Sequence, residues 1–356
     1  MEDINQGRTA LHMAVHNYNS NIITTLIEYG CKPDEKDEEG KTALHLAFSV
    51  HLCNPDIFTT LLKHGCNLNE KDNTGNTVLH LACSKHLRNA DIIKTLLKHG
   101  CNPDEKNKEG NTVLHLACGE HLQDVDIIKA LLKHACNPDE KDNQGKTALH
   151  LACSEHLQDV DIIKALLKHG CNPDVKDNQG KTALHLAFSV HSRNPDIFTT
   201  LLKHGCNLDE KDNKGNTVLH LACREHLRNA DIIKTLLKHG CNPDEKDNRG
   251  NTALHLACSV KLWNPDLIKT LLQHGCSPDK EDNEGNTVLH LACSEHVRNA
   301  DIIKTLLKHG CNPDEKDNRG NTALHLACSV KLWNPDLIKT LLQHGCNPDE
   351  EDNEVQ

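Results

Sequence analysis

Residues 72–106 read DNTGNTVLHLACSKHLRNADIIKTLLKHGCNPDEK, and this stretch decides the fold. Thr77 precedes Val78, Leu79, His80, Leu81, Ala82 and Cys83: a hydroxyl residue where a helix N-cap belongs, then an apolar run. A second helix starts at Asn89, and its apolar residues Ile92, Ile93, Leu96 and Leu97 form one helical stripe. It closes on Lys98, His99 and Gly100, cations in the last turn followed by a residue free to take the left-handed conformation. Turn sequences around Gly75 and Pro103 bracket a short extended piece at Glu105 and Lys106. The stretch is helix, loop, helix, hairpin.

The same unit recurs along the chain. Its Leu-His pair begins at Leu11, Leu44, Leu79, Leu114, Leu149, Leu184, Leu219, Leu254, Leu289 and Leu324, a first step of 33 residues and eight of 35. Four units open their second helix with Asn-Pro-Asp, from Asn54, Asn194, Asn264 and Asn334, which supplies an N-cap, Pro at N1 and an acid in the first turn. About 12 of the 35 residues are apolar, too few to bury a face alone, so neighbouring units must cover one another. The expected fold is an all-α solenoid of helix-loop-helix units joined by β-hairpin-like fingers. No composition shift marks a boundary, so one domain is expected over 1–356. It comprises a first unit at about 5–36, nine units over about 37–351 and a tail at 352–356.

Composition bounds the function. The chain has 356 residues, 18 Cys and 27 His but only two Trp, two Tyr and four Phe, so its core is built from Leu, Ile, Ala and Cys. A net charge of -11 disfavours a nucleic acid partner or anionic lipid, which select an excess of Lys and Arg. No stretch approaches the roughly 18 apolar residues of a membrane span, and MEDINQGRTA lacks the basic-then-apolar order of a signal peptide. A cytoplasmic or nuclear location is expected.

The pattern from Asp72 to Ala82, Asp-x-x-Gly-x-Thr-x-Leu-His-x-Ala, then Leu-Leu-x-x-Gly at Leu96 to Gly100 and a hairpin, resembles the ankyrin repeat family, ten times over. Two features depart from that family: Val78 or Ala148 stands where Pro is usual, and most units exceed its common length of about 33 residues by two. Comparison with the first unit places the extra residues in the interhelical loop, Ser84 to Arg88. The resemblance implies a protein-binding module whose fingertips and first helices line a concave face. It also implies that each Leu-His imidazole bonds backbone within or between repeats. Asn69 stands where other hairpins have Asp104 and Asp139. It lies eight residues after Leu61, a spacing similar to that used by the asparaginyl hydroxylase that modifies ankyrin repeats.

Seventeen Cys fall in two rows, one in the first helix (Cys83, Cys118) and one after the second (Cys66, Cys101). Phe48 and Phe188 replace the first Cys in two units, a swap that packing tolerates and a ligand set does not. No close Cys-x-x-Cys pair exists, so neither a zinc site nor disulfides are expected. Cys53 stands outside both rows as the thiol expected to react. The His residues repeat in rows too, with no nucleophile uniquely placed beside any of them. Catalysis needs asymmetry; no catalytic residue, cofactor, metal or small-molecule substrate is expected. Acid sensitivity below about pH 6 is expected from the His count.

Variation among units marks candidates for partner contact. The residue before the fingertip Gly changes along the chain: Glu39, Thr74, Glu109, Gln144, Gln179, Lys214, Arg249, Glu284 and Arg319. The end of the first helix and the loop after it also vary, at Lys85, Gly119, Val190, Arg224 and Val260. Trp263 and Trp333 stand in interhelical loops, either as interface anchors or tucked against a neighbouring loop. Pro243 to Asp247 carries net -2, and the second helix before it carries Lys234, Lys238 and His239, so stacking draws an acidic line along the fingers. Solvated faces show such patterns; the functional reading is a partner with a basic surface. Ala135 replaces the Gly that follows the second helix elsewhere.

The first unit, with Asn19, Ser20, Asn21, Thr24, Thr25 and Glu28 around its second helix, reads as an N-terminal cap. Residues 317–346 repeat 247–276 without polar adaptation, so a longer protein, or pairing through that end, is expected. The function expected is a non-enzymatic scaffold or adaptor for a protein partner. The alternative is the recognition arm of a larger protein, such as a ubiquitin-ligase adaptor or a membrane-associated ankyrin protein.

Overall fold

The computed structural model describes residues 7–49, 55–83, 89–119, 124–134, 136–154, 159–189, 195–224, 230–259, 264–294, 300–329 and 335–351. The chain divides into two compact units, Met1–Asn178 and Gln179–Gln356. In unit 1 the helix pairs are α1 (Ala10–His16) with α2 (Ser20–Glu28), α3 (Ala43–Ser49) with α4 (Pro55–Lys63), and α5 (Val78–Ala82) with α6 (Ala90–Lys98). Two further pairs complete it: α7 (Val113–Cys118) with α8 (Val125–Lys133), and α9 (Ala148–Ala152) with α10 (Val160–Lys168). Unit 2 pairs α11 (Ala183–Ser189) with α12 (Pro195–Lys203), α13 (Val218–Ala222) with α14 (Ala230–Lys238), and α15 (Ala253–Cys258) with α16 (Pro265–Gln273). It ends with α17 (Val288–Cys293) beside α18 (Ala300–Lys308), and α19 (Ala323–Cys328) beside α20 (Pro335–Gln343).

Helices of this length are marginal alone in water, so packing must hold them. First helices stack on first helices (α3 on α1, α5 on α3; α13 on α11, α15 on α13) and second on second (α8 on α6, α10 on α8; α16 on α14, α18 on α16). Leu79, Ile93 and Leu96 are fully buried between them. Four Phe form two coupled substitutions: Phe48 packs edge-on against Phe58 at 5.4 Å, and Phe188 lies tilted against Phe198 at 4.3 Å. Where one helix exchanges its Cys for Phe, its partner exchanges Ile for Phe, and the rings fill the layer together.

The fingers are successive turns with no strand among the described residues. The Asp72 carboxylate accepts from the N–H of Thr74 (2.8 Å) and Asn76 (2.9 Å), closing the tip over Gly75 at φ +83°. A Cβ on Gly75 would come within 2.7 Å of the Lys108 nitrogen, so the next finger approaches too closely for any side chain. The second helix α6 ends as the sequence implies: Gly100, at φ +92°, donates to Leu97 O and Cys101 N–H donates to Leu96 O, a Schellman closure that recurs at Cys171, Cys241, Cys276 and Cys311. Asn89 and Asn264 cap α6 and α16 through their side-chain oxygens. Ala135, Cys53, Trp263 and Trp333 lie outside the described residues. Among those residues, no helix is long and apolar enough to cross a membrane.

Candidate partner-binding surface

The two His rows use opposite tautomers. His80 Nδ1 accepts from the Thr77 N–H at 3.2 Å, so the proton sits on Nε2, which donates to Asn111 O of the next repeat at 3.0 Å. The bond recurs from His45 to Asn76 and from His220 to Asn251, the inter-repeat link that the resemblance implies. Burial lowers the pKa of His45, His80, His115, His220 and His255, against the raising effect of that carbonyl bond. His99, at the end of α6, does the reverse: its Nδ1 donates to Thr95 O at 2.8 Å and satisfies a helix-end carbonyl.

The thiol rows are packing positions. Cys83 and Cys118 are at most 1% exposed, and burial pushes the Cys83 thiol up to about 12. Two thiols break the pattern. Cys31 is half-buried, and Cys328 is exposed because α19 meets a first helix, α17, on one side only. Among the described residues no three His, Cys, Asp or Glu side chains converge as metal ligands would.

The acidic line along the fingers is largely used by the fold itself. Lys71 reaches the next finger to pair with Glu105 at 2.8 Å, Lys106 pairs with Glu140 at 2.7 Å, and Lys211 with Glu245 at 2.7 Å. Hydrogen bonds from those lysines, which outweigh desolvation, hold Glu105, Glu140 and Glu245 below the usual carboxylate value. Asp104 accepts from Asn137 N–H at 2.9 Å; Asn69, which is exposed, makes the equivalent bond to Asn102 N–H at 2.9 Å through its amide oxygen.

Fingertips are built differently. The Lys214 N–H donates to Asp212 (2.8 Å), while its carbonyl accepts from Asn248 N–H (3.1 Å); Arg249 repeats this with Asp247 (2.8 Å) and Asn283 (3.0 Å). At these two tips the backbone is fixed from both sides and the Lys214 and Arg249 side chains have no part in it, whereas Thr74 Oγ1 donates to Asp72 at 2.6 Å and Glu109 accepts from Asn111 Nδ2 at 3.0 Å. Glu109, Gln144, Gln179, Lys214, Arg249, Glu284 and Arg319 are all exposed. In unit 1 the tips are Glu39, Thr74, Glu109 and Gln144, without a cation.

In unit 2 two tips join Arg224, one of the variable residues that the sequence places at the end of the first helix. Lys214, Arg249 and Arg224, at the end of α13, line one groove of about 420 Å³ with Asn213, Asn216, Asp247, Asn248, Asn251 and Leu256. Arg224 Nη2 donates to Asn216 Oδ1 at 3.0 Å, and the buried Asn216 is itself held by Nδ2 bonds to Asp212 at 3.0 Å. Burial pushes the Asp212 carboxyl up, but bonds from Asn216 and Lys214 outweigh it and hold it low. The signal in the sequence is one position: seven repeats have Ser there, the first has His16, one has Gly119, and only one has Arg.

A family model described as "Ankyrin repeats (3 copies)" matches residues 1–72, 49–142, 120–212, 188–282 and 259–352. No curated protein matches the chain. Among solved structures, the ankyrin repeat domain of Bcl-3, a member of the IkappaB protein family, aligns with a TM-score of 0.53 and 24% identity, over 75% of this chain and 99% of that one. At that identity the likeness speaks for the fold. Ankyrin repeats are generally non-enzymatic protein–protein interaction modules. With matches that run from residue 1 to residue 352, the chain belongs to the ankyrin repeat family.

Proposed function

We propose that the protein is a non-enzymatic scaffold or adaptor that binds a protein partner through its fingertips and the concave face they line with the first helices. The observation that carries this is the tip geometry: backbone fixed by Asp and Asn, side chain exposed and variable from repeat to repeat. The cation-free tips of unit 1 suit a partner with a basic surface, and the free, buried thiols suit the reducing cytoplasm or nucleus. The exposed Asn69 is offered as a hydroxylation acceptor; an unshifted peptide mass after incubation with an asparaginyl hydroxylase would exclude it.

The test is affinity capture from cell extract with three full-length proteins: the parent, a tip variant (Glu109→Lys with Gln144→Lys), and a control reversed on the second helices (Lys94→Glu with Lys129→Glu). The tip variant should lose partners that the control keeps. Equal recovery by all three would overturn the proposal.

A further inference from the structure

Repeats copied from one unit present the same groups again and again, so a place where several departures from the unit meet is informative. The groove of unit 2 is such a place. Lys214 and Arg249 are the one pair of successive cationic tips in the chain, and the Arg among the Ser residues at the end of the first helix falls between them. Three cations thus line a groove with a single carboxylate, Asp247, in a chain whose net charge is -11.

The nearby acids are occupied. Asp247 accepts from the Arg249 N–H at 2.8 Å and the Asn251 N–H at 2.9 Å, Asp212 is held by Asn216, and Glu245 is paired with Lys211. Arg224 is anchored through Nη2 by Asn216 Oδ1, which takes one of its five donors and leaves the others for a ligand. Guanidinium groups match carboxylates in a planar, two-bond geometry. The cations come from two fingers and a helix end, and Leu256 gives the groove an apolar wall. This shape suits several carboxylates along a chain better than one small anion.

We propose that the Lys214–Arg224–Arg249 groove binds an extended, carboxylate-rich peptide segment of the protein partner, with an apolar side chain of that segment against Leu256. The proposal rests on the binding-module reading above and names the chemistry of one partner segment.

The experiment is fluorescence anisotropy with the full chain and a labelled peptide built from Glu-Glu-Asp-Leu blocks; a peptide with Gln for every acid serves as comparison. The acidic peptide should bind, the Gln peptide should not, and the affinity should fall as salt rises from about 50 to 200 mM. Arg224→Ser restores the residue of seven other repeats, whose hydroxyl bonds a helix-end carbonyl as Ser259 does to Leu256 O, so folding is preserved. It should weaken binding about tenfold, as should Lys214→Gln with Arg249→Gln, whereas Lys304→Gln, on the second helix α18 and outside the groove, should leave binding unchanged. Equal binding of both peptides, or indifference to Arg224→Ser, overturns the inference. If capture still depends on the unit 1 tips, the inference fails alone; if capture ignores those tips too, the binding-module reading fails with it.

Discussion

His80 joins two repeats with one neutral ring, and that neutrality is a requirement. Nδ1 must keep a lone pair for the Thr77 N–H while Nε2 keeps a proton for Asn111 O. A second proton would cost the first bond and place a charge in a buried site, which is why burial lowers the pKa of five such residues. The sign of the pH effect follows. An unfolded His titrates near 6.5, so just below that value the unfolded chain binds more protons than the folded one. Stability is complete above about pH 7, falls as pH drops through about 6.5, and levels off below the folded pKa. The melting midpoint should be lower at about pH 5.5 than at pH 7.5, before the lowered carboxylates Glu105 and Glu140 begin to titrate. A midpoint that does not move would refute this role for the His row.

Every described Gly that follows a second helix takes a positive φ. Gly100, Gly170 and Gly240 take φ of +92°, +89° and +88°, where a side chain is strained. Ala135 holds the same position in its repeat, so Ala135→Gly should stabilise the protein by about 0.4 to 1 kcal/mol. A lowered thermal midpoint would show that this repeat closes differently. Helix ends of this kind were legible in the sequence because capping is local: Asn89, Pro265 and Gly100 act on backbone within a turn of themselves. The finger was legible only as a turn. Its acids read as a charged line, and their engagement by Lys71, Lys106 and Lys211 appears only when the neighbouring finger is in place, 34 residues away.

Across the whole molecule, stacking decides which copies of a group are hidden. Cys258 and Cys293 are fully buried while Cys328, the same position in the last repeat, is exposed. A small maleimide should therefore label Cys328 in the native protein, alongside the Cys53 thiol expected from sequence, and should reach Cys83 and Cys118 only after denaturation. Fast native labelling of Cys118 would contradict the packing. The repeat itself was legible because ten copies average out local ambiguity. The Arg224 groove was not: Lys214 and Arg249 lie 10 residues before and 25 after it, and only stacked repeats bring them to one place.

The doubly pinned fingertip makes folding and recognition separately heritable. Asp212 and Asn248 determine the shape of a tip whatever side chain it carries, so a codon change at position 214 alters what the surface greets and leaves the melting curve where it was. A lineage of such chains could exchange one partner for another by drift at the tips alone, with no intermediate that folds poorly.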